Sequence, residues 1–280
     1  WRMDVIDSIP LTEVARLKKE SKELYVMPQA GTYYYAFNTQ KAPFDNVKVR
    51  KAFALAIDRQ TIVDKVRKTG TPATAFVPPG IPDATPDKEF RSVGGDFFPV
   101  KADVTQAKQL LAEAGYPDGK NFPPVTLIYN STEEHKILAE AILEMWKTNL
   151  GFSNIKLANM EWGVFIPTRQ QGDFQVARDG WIGDYNDPMT FIDLFTSDSG
   201  NNDPQWENTE FDQLVKKARL ATNEQERMTT LHQAEKLFMD EAIMAPIFFY
   251  TQNSMIKPYV KNLHVSPLGL TYFDRVEITK

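Results

Sequence analysis

The segment that most strongly constrains the fold reads Thr32-Tyr33-Tyr34-Tyr35-Ala36-Phe37. Aromatic and β-branched side chains pack well on a pleated surface, so this segment predicts a β-strand. A second, shorter strand is predicted just before it, at residues 25–27. After a turn, apolar residues recur at helical spacing over residues 47–68, which predicts one long helix.

Outward from this segment, strands alternate with helices along most of the chain, which is typical of an α/β fold. Further strands are predicted at residues 125–129, 155–158, 174–181 and 243–254. Further helices are predicted at residues 11–24, 104–114, 133–150, 162–170, 208–220 and 223–241. Residues 69–101 are rich in proline and glycine, which predicts an ordered loop or a linker. Residues 255–280 predict short strands and turns.

The composition excludes several classes of protein. The chain has 280 residues, of which 42% are hydrophobic and 25% charged, enough for one large domain or two modest ones. Its net charge of -5 and the lack of a basic stripe argue against nucleic acid as a partner. No apolar run approaches the roughly 20 residues that cross a bilayer. Because cysteine is absent, disulfides, thiolate nucleophiles and cysteine-ligated zinc are excluded.

The densest group of unusual residues is Arg178-Asp179-Gly180-Trp181-Ile182-Gly183-Asp184-Tyr185-Asn186-Asp187-Pro188. It follows a predicted buried strand, and loops beyond strand ends are where α/β proteins bind ligands. Asp184 could bind a cation there, with Trp181 or Tyr185 as an apolar or cation–π wall. Alternatively, Asp184 or Asp187 caps the following helix while Trp181 packs in the core. A third hypothesis makes Asp184 and Asp187 the acid–base pair of a glycoside hydrolase.

Histidines and sequence motifs give no sign of catalysis or metal binding. His135, His232 and His264 lack any metal-ligand spacing, and no nucleophile elbow, P-loop or dinucleotide-binding motif occurs. His135 lies near the start of a predicted helix, where it could line a cleft, whereas His232 is expected on the solvated side of its helix. Arg169 could bind a carboxylate through its planar guanidinium, but its position at a helix end favours a solvated side chain. We therefore predict no enzyme activity, no cofactor and no metal site.

Three segments, in the same order, resemble the family-5 extracellular solute-binding proteins. They are Tyr33-Tyr34-Tyr35-Ala36-Phe37-Asn38 with the following Ala42-Pro43-Phe44-Asp45-Asn46-Val47-Lys48-Val49-Arg50-Lys51-Ala52, then Ala56-Ile57-Asp58-Arg59, and then Gly180-Trp181-Ile182-Gly183-Asp184-Tyr185-Asn186-Asp187-Pro188. The pair Asp184-Tyr185 resembles the oligopeptide-binding branch in particular. The similarity runs from about Leu11 to the end of the chain.

The resemblance implies a periplasmic-binding-protein-like (type II) α/β lobe, with a mixed sheet and flanking helices, plus fragments of a first lobe. Residues 38–250 would form the ligand-closing lobe, residues 1–37 part of the first lobe, and residues 251–280 a return segment to it. Family members are about twice as long, so we expect the two ends to pair with each other or with a neighbouring copy. A disulfide of some relatives would join the positions of Gly31 and Ile182, neither of which is cysteine here.

The resemblance also implies a function. The chain would belong to an extracytoplasmic receptor that captures oligopeptides and delivers them to the permease subunits of an ABC importer. Such a receptor would lie in the periplasm or on the cell surface, linked to the membrane only by a lipid anchor expected upstream. Receptors for a dipeptide, an oligosaccharide, a nickel complex or a peptide pheromone remain alternatives, as does a hydrolase that uses a carboxylate pair.

Individual ligand-binding residues follow from the same resemblance. The aspartate matching Asp184 pairs with the free α-amino group of the peptide, and the residues matching Arg169 and His135 face its C-terminal carboxylate at different peptide lengths. Main chain after Trp181, beginning with Ile182, pairs with the extended peptide. The residues expected to line the cleft are Trp162, Ile166, Arg178, Trp181 and Tyr250. Because main-chain hydrogen bonds ignore side-chain identity, such a site would accept varied sequences.

Overall fold

The computed structural model describes residues 3–7, 9–85 and 87–279. Trp1, Arg2, Ser8, Pro86 of the predicted loop, and Lys280 lie outside the described residues. Within the described ranges, no helix combines the length and the apolar character that crossing a membrane requires.

A mixed, seven-stranded sheet forms the centre of the fold. Its strands are β1 (Val5–Ile6), β2 (Leu24–Phe37), β3 (Thr71–Pro72), β4 (Val125–Asn130), β5 (Ile155–Met160), β6 (Val176–Ile182) and β7 (Met244–Ile256). Their order is β1-β7-β2-β6-β4-β5, with β3 also paired to β7. β2 is antiparallel to β6 and β7, whereas β4 is parallel to β5 and β6. Two small sheets near the C-terminus consist of β8 (Val260–Lys261), β9 (His264–Val265), β10 (Thr271–Tyr272) and β11 (Glu277–Ile278).

Helices connect these strands, which confirms the predicted α/β fold. They are α1 (Leu11–Glu20), α2 (Val47–Leu55), α3 (Arg59–Thr61), α4 (Phe90–Gly94), α5 (Val104–Glu113), α6 (Glu133–Leu150), α7 (Trp162–Gln170), α8 (Met189–Ile192), α9 (Thr209–Leu220) and α10 (Glu224–Asp240). Every predicted helix outside residues 47–68 is present, although α1 ends at Glu20, where Ser21 takes an extended conformation.

The prediction of one helix over residues 47–68 is wrong, because the helix is interrupted. α2 ends at Leu55, and α3 then continues into a π-helix at Ile62–Arg67. The backbone is extended at Asp58, whose Oδ1 accepts a hydrogen bond from Thr61 N at 2.8 Å. A capping aspartate starts a new helix here, and apolar periodicity alone does not reveal such a break.

Arg59, directly after this break, is fully buried. Its guanidinium donates to the carbonyl oxygens of Ala54, Ile57, Pro99 and Pro246, at 2.7–3.3 Å. Burial lowers the pKa of Arg59 to about 9. The side chain therefore ties the interrupted helix to β7 and to the loop before α5.

The loop of residues 69–101 is ordered and packs against α10. Arg91 pairs with Glu235 at 2.7 Å, and Asp83 lies 2.8 Å from Nε2 of His232. The His232 ring also stacks on Phe90, with ring centroids 3.8 Å apart. The prediction that His232 is solvated is wrong, because this loop covers that side of the helix.

The two ends of the chain pair along β7, as predicted. Val5 lies opposite Ile256, and the first half of β2 pairs with the last part of β7. The two strands predicted before residue 38 are one continuous strand, with a register shift between Pro28 and Thr32. β7 continues across residue 250. The division of the chain into lobes stays a prediction.

Alternation along β2 directs its side chains to two faces of the sheet. Tyr35 contacts Trp146 of α6 edge to face, with ring centroids 6.3 Å apart. Tyr34 contacts Phe76, with centroids 5.2 Å apart, on the other face. All residues of β2 from Ala30 onward are buried, so this strand is the centre of the core.

Replacing Arg59 with leucine should destabilise the fold, because three buried carbonyl oxygens and the partly buried one of Pro99 lose a donor. An unsatisfied buried acceptor costs about 1–3 kcal/mol, so we expect the free energy of unfolding in urea to fall by roughly 3 kcal/mol or more. Arg16→Leu is the control, since Arg16 lies on the exposed surface of α1. Equal losses in the two variants would contradict the role given to Arg59.

Candidate functional site

Strand β6 presents an open edge. It pairs with β2 over its whole length, but with β4 only at its first two residues. Gly183 N donates to Ala30 O, toward β2, at 2.8 Å. Because successive amide groups of a strand point to opposite sides, those of Gly180 and Ile182 point toward the open edge. An extended chain could therefore add to β6 at this place.

On the α6 face of the sheet, one cation lies among aromatic rings. Arg178 Nη2 donates to Tyr250 Oη at 3.1 Å, and the guanidinium lies 4.8 Å from the centre of the Tyr33 ring. Nδ1 of His135 lies 3.3 Å from Tyr33 Oη. Among the residues that the structure describes, Arg178 has no ion-pair partner, and its Nε has no hydrogen-bond partner. This cation therefore keeps unused hydrogen-bonding capacity.

The neighbours of Arg178 are either neutral or already paired. Burial, and next the charge of Arg178, lower the pKa of His135 to about 3, so its ring is uncharged at neutral pH. Arg67 lies 3.1 Å from Glu134 and 4.3 Å from the centre of the Phe248 ring. Arg178 is therefore the cation of this group that is left for an added anion.

The opposite face holds a second arginine, Arg169, which carboxylates already surround. Its Nη1 lies 2.5 Å from Asp179 Oδ1, and its Nε lies 2.7 Å from Asp203 Oδ2 as an ion pair without hydrogen-bond geometry. Tyr34 Oη donates to Asp179 Oδ2 at 2.8 Å. The expectation of a solvated Arg169 is wrong, since its side chain is only 14% exposed.

The structure thus separates two residues expected at the same ligand carboxylate. His135 contacts Tyr33, whereas Arg169 belongs to the group around Tyr34, and successive residues of β2 face opposite ways. The contact expected of each with a peptide's C-terminal carboxylate, at different peptide lengths, stays a prediction.

Helix α7 carries two further residues expected to line the cleft. Trp162 is 54% exposed at the start of the helix and stacks loosely on Phe165. Ile166 is partly buried against the core. The ligand contacts expected of both residues stay predictions.

A pocket of about 380 Å³ lies beyond the end of β6. Its lining residues are Trp181, Asp184, Tyr185, Thr190, Asp193, Leu194, Thr196, Asp198, Ser199, Asn201 and Arg219. The one cation, Arg219, lies 3.3 Å from Asp193. Asp184 is exposed, and its carboxylate makes no ion pair or hydrogen bond within the described part of the chain. The pocket is therefore acidic, with a free carboxylate in its wall.

Asp187 is bound by other protein groups. Its Oδ1 accepts from Met189 N at 2.8 Å, and its two oxygens accept from Arg227 at 2.7 and 2.8 Å. The capping hypothesis is therefore correct for Asp187 and wrong for Asp184. Trp181 packs partly against the core and also lines the pocket, so it combines the two roles considered for it.

Comparison with known proteins identifies the family. The model of the bacterial extracellular solute-binding proteins, family 5 (middle), matches residues 2–203. The chain belongs to this family.

Several family-5 relatives are similar over nearly the whole chain. The oligopeptide-binding protein OppA of Bacillus subtilis is 38% identical over 275 residues, which are 98% of this chain and 50% of OppA. The periplasmic murein peptide-binding protein MppA of Escherichia coli is 37% identical over 282 residues, 99% of this chain and 51% of MppA. The crystal structure of Haemophilus influenzae OppA in complex with RPPGFSPFR has a TM-score of 0.77 at 36% identity, covering 92% of this chain and 50% of that one. The chain spans about half the length of the curated relatives it matches, and it has the type II periplasmic-binding-protein fold.

Gly31 and Ile182, the two positions at which the resemblance implied a disulfide in some relatives, lie side by side. Gly31 is directly opposite Ile182 in the β2–β6 register. A Cβ on Gly31 would lie 2.7 Å from Trp181 O and 2.9 Å from the Tyr250 ring. Glycine at position 31 therefore allows β2 to pack closely against β6 and Tyr250.

Sequence patterns assign no site role to three residues of the candidate site. Tyr33 is predicted in a strand and lies in a family-like segment, but only the alternation of β2 places it on the face of Tyr35 and Arg178. Asp179 stands in the unusual segment 178–188 without an assigned role, and Asp203 gives no signal, because the importance of both depends on Arg169 reaching them.

Gly180 allows Tyr250 to lie across β6, since a Cβ on Gly180 would lie 2.2 Å from Tyr250 Oη. We expect Gly180→Ala to displace Tyr250 from Arg178 and to lower the free energy of unfolding in urea by about 1–3 kcal/mol, as overpacking does. Adding Tyr250→Phe should recover part of this loss. The control is Gly163→Ala, where an added Cβ meets no atom within 4 Å. Equal stabilities of the two alanine variants would contradict this packing argument.

Proposed function

We propose that this chain forms a peptide-binding part of an extracytoplasmic receptor that captures oligopeptides and delivers them to an ABC importer. The observation that carries the proposal is the open edge of β6, which lies between the carboxylate of Asp184 and the guanidinium of Arg178, neither of which has an ion-pair partner among the described residues. An extended peptide with free termini matches this arrangement in both hydrogen bonds and charge.

The open edge would supply main-chain hydrogen bonds. Ile182 directs its amide group toward it, and Gly180 its carbonyl oxygen, since Gly180 N already donates to Asp179 Oδ1 at 2.7 Å. Each main-chain hydrogen bond contributes about 0.5–1.5 kcal/mol net, and every peptide residue carries the groups that form it. Binding of this kind is therefore tolerant of peptide sequence.

The two charges would fix the direction of the peptide. Its ammonium group would pair with Asp184 beyond the C-terminal end of β6, where Asp193 and Asp198 add negative potential. Its carboxylate would pair with Arg178, and the neutral ring of His135, which lies beside Tyr33 on the same face of the sheet, would donate a hydrogen bond to it. The bound peptide would then run antiparallel to β6.

Arg178 is a better partner for the carboxylate than Arg169. A cation removed from water without a counter-ion is costly, so an arriving carboxylate stabilises it. Arg169 already has Asp179 and Asp203 as counter-ions, and it lies on the other face of the sheet. We therefore assign Arg169 a structural role, as the partner of Asp179 and Asp203, and not a ligand contact.

The names of the relatives support the location outside the cytoplasm and the peptide ligand. Two of the relatives named above are described as binding an oligopeptide and a murein peptide, and the family is described as extracellular. The proposed receptor would lie outside the cytoplasm, held to the membrane by a lipid anchor, and would dock onto permease subunits. The part of the relatives that this chain does not span would provide the opposite wall of the cleft.

The carboxylate-pair hydrolase is less well supported. Asp187 is bound by Arg227 and by the amide of Met189, so it is not free to act as a base. A turnover assay on peptides and glycosides separates the two functions, since a receptor returns its ligand unchanged.

Asp184→Asn should weaken binding of a free-amino oligopeptide by roughly 30-fold or more in the full-length receptor, because the ammonium loses its counter-charge. N-acetylation of the peptide should cause a similar loss with the unchanged protein. Isothermal calorimetry measures both, with Asp173→Asn as the control, since Asp173 is an exposed acid paired only with Lys41. If acetylation leaves the affinity unchanged, the proposed ammonium site is wrong.

Arg178→Gln should weaken binding of a peptide with a free carboxylate by roughly tenfold or more, and binding of its C-terminal amide far less. The ratio of the two affinities, measured by calorimetry, isolates the charge interaction from any change in packing. Arg67→Gln is the control, since Glu134 already neutralises Arg67. A ratio that Arg178→Gln does not change would show that the carboxylate binds elsewhere.

A further inference from the structure

Four buried side chains form a cluster directly behind the open edge of β6. They are Tyr34 of β2, Asp179 of β6, Arg169 of α7 and Asp203 in the turn before α9. The carboxyl groups of Asp179 and Asp203 are 4% and 6% exposed, and both lie against Arg169. We call these four residues the carboxyl cluster.

The carboxyl cluster contains two carboxyl groups, those of Asp179 and Asp203, and one guanidinium, that of Arg169. Two ionised carboxylates beside one guanidinium leave a net negative charge, which is costly away from water. A single proton held by the two acids removes that charge, as in other pairs of adjacent carboxyl groups. Burial, and next the negative charge of Asp179, raise the pKa of Asp203 to about 8. The charged groups around the pair are Arg169 from α7 and, farther away, Arg178 from β6, while Tyr34 faces it from β2.

The carboxyl cluster is connected to the proposed binding edge through Asp179. Oδ1 of Asp179 accepts from Gly180 N at 2.7 Å as well as from Arg169. Gly180 lies on the part of β6 that forms the open edge, so its main chain belongs to the proposed binding edge. Thr39 holds the turn that carries Asp203, because Thr39 N donates to Pro204 O at 2.9 Å. Whatever moves the carboxyl group of Asp179 therefore acts on the main chain at the edge.

We propose that Asp203 is a positioning residue whose protonated carboxyl group donates a hydrogen bond to Asp179 and so holds the main chain at Gly180 ready for a peptide strand. When this proton is lost, two anions face one guanidinium, Asp179 is repelled, and the edge loses its fixed geometry. Peptide affinity then falls on the alkaline side. This inference rests on the proposed function, because its first measurement is peptide binding.

The same proton changes stability without any ligand. The pKa of Asp203 is raised in the folded chain, so the folded state holds the proton more tightly than the unfolded state. The resulting stabilisation is fully present in acid and is lost as the pH rises from about 4 to about 8. Asp203→Asn has no proton to lose, so this part of the pH dependence is absent from the variant.

Asp203→Asn is also the matched variant for binding, because asparagine keeps the size of the side chain and a permanent hydrogen-bond donor. Its affinity for trialanine is compared with that of the wild type and of Asp173→Asn between about pH 6 and about pH 9.5, in the full-length receptor. The ammonium group of the peptide loses its own proton near pH 8, which weakens binding to all three proteins alike. The ratio of their affinities at each pH therefore isolates the contribution of Asp203 to the pH dependence of binding.

We expect the wild type and Asp173→Asn to lose affinity relative to Asp203→Asn above about pH 8, by at most about tenfold per pH unit, the limit for one linked proton. Parallel affinity profiles would overturn the inference. If none of the three proteins binds peptide, the proposed function fails, and urea unfolding between about pH 4 and about pH 8 tests the proton alone. A weaker pH dependence in Asp203→Asn then supports the shared proton, and equal dependence overturns it.

If Asp203→Asn does not fold, the inference is tested on the wild-type protein alone. Infrared spectroscopy should then show a protonated carboxyl band at neutral pH that disappears in alkali. Absence of that band at neutral pH overturns the inference.

Discussion

The pairing of β2 with both β6 and β7 is the constraint on which the rest of the structure depends. It places a run of aromatic residues at the centre of the sheet, where both faces are covered. The alternation of the strand then sends Tyr33 and Tyr35 toward α6 and Tyr34 toward the carboxyl cluster. A shift of one residue would exchange these two sets, so the register of β2 also determines which charged groups meet.

The arginines of this chain show how local surroundings decide what a cation can do. Arg59 is buried among carbonyl oxygens and stabilises an interrupted helix. Arg169 lies between two carboxylates and links α7 to β6 through Asp179. Arg178 lies among tyrosine rings with no counter-ion in the described part of the chain, so it alone of the three is suited to an anionic ligand. The residue type is the same in all three places, and the partners make the difference.

The proposed site combines a permissive element with two selective ones. Main-chain hydrogen bonds along β6 accept any extended peptide, whereas a carboxylate and a guanidinium at its ends require charged termini. An open edge is also a place where unrelated strands can pair. In this fold the acidic pocket and the aromatic group around Arg178 flank that edge, which limits the chains that can bind there with matching charge.

The sequence by itself determined most of the helices and strands of this protein, because aromatic and apolar periodicity reports which side of a strand or helix is buried. It also pointed to residues 178–188 as unusual, and its three ordered motifs indicated the family. The tertiary structure alone decided which charges are free. Asp184 and Asp187 are nearly equivalent in sequence, but Arg227, which lies 40 residues beyond Asp187, neutralises only the latter. Arg169 gained its partners, and His232 lost its solvent, through segments distant in sequence. Charge pairing depends on distances between such segments, and periodicity along the chain carries no information about them.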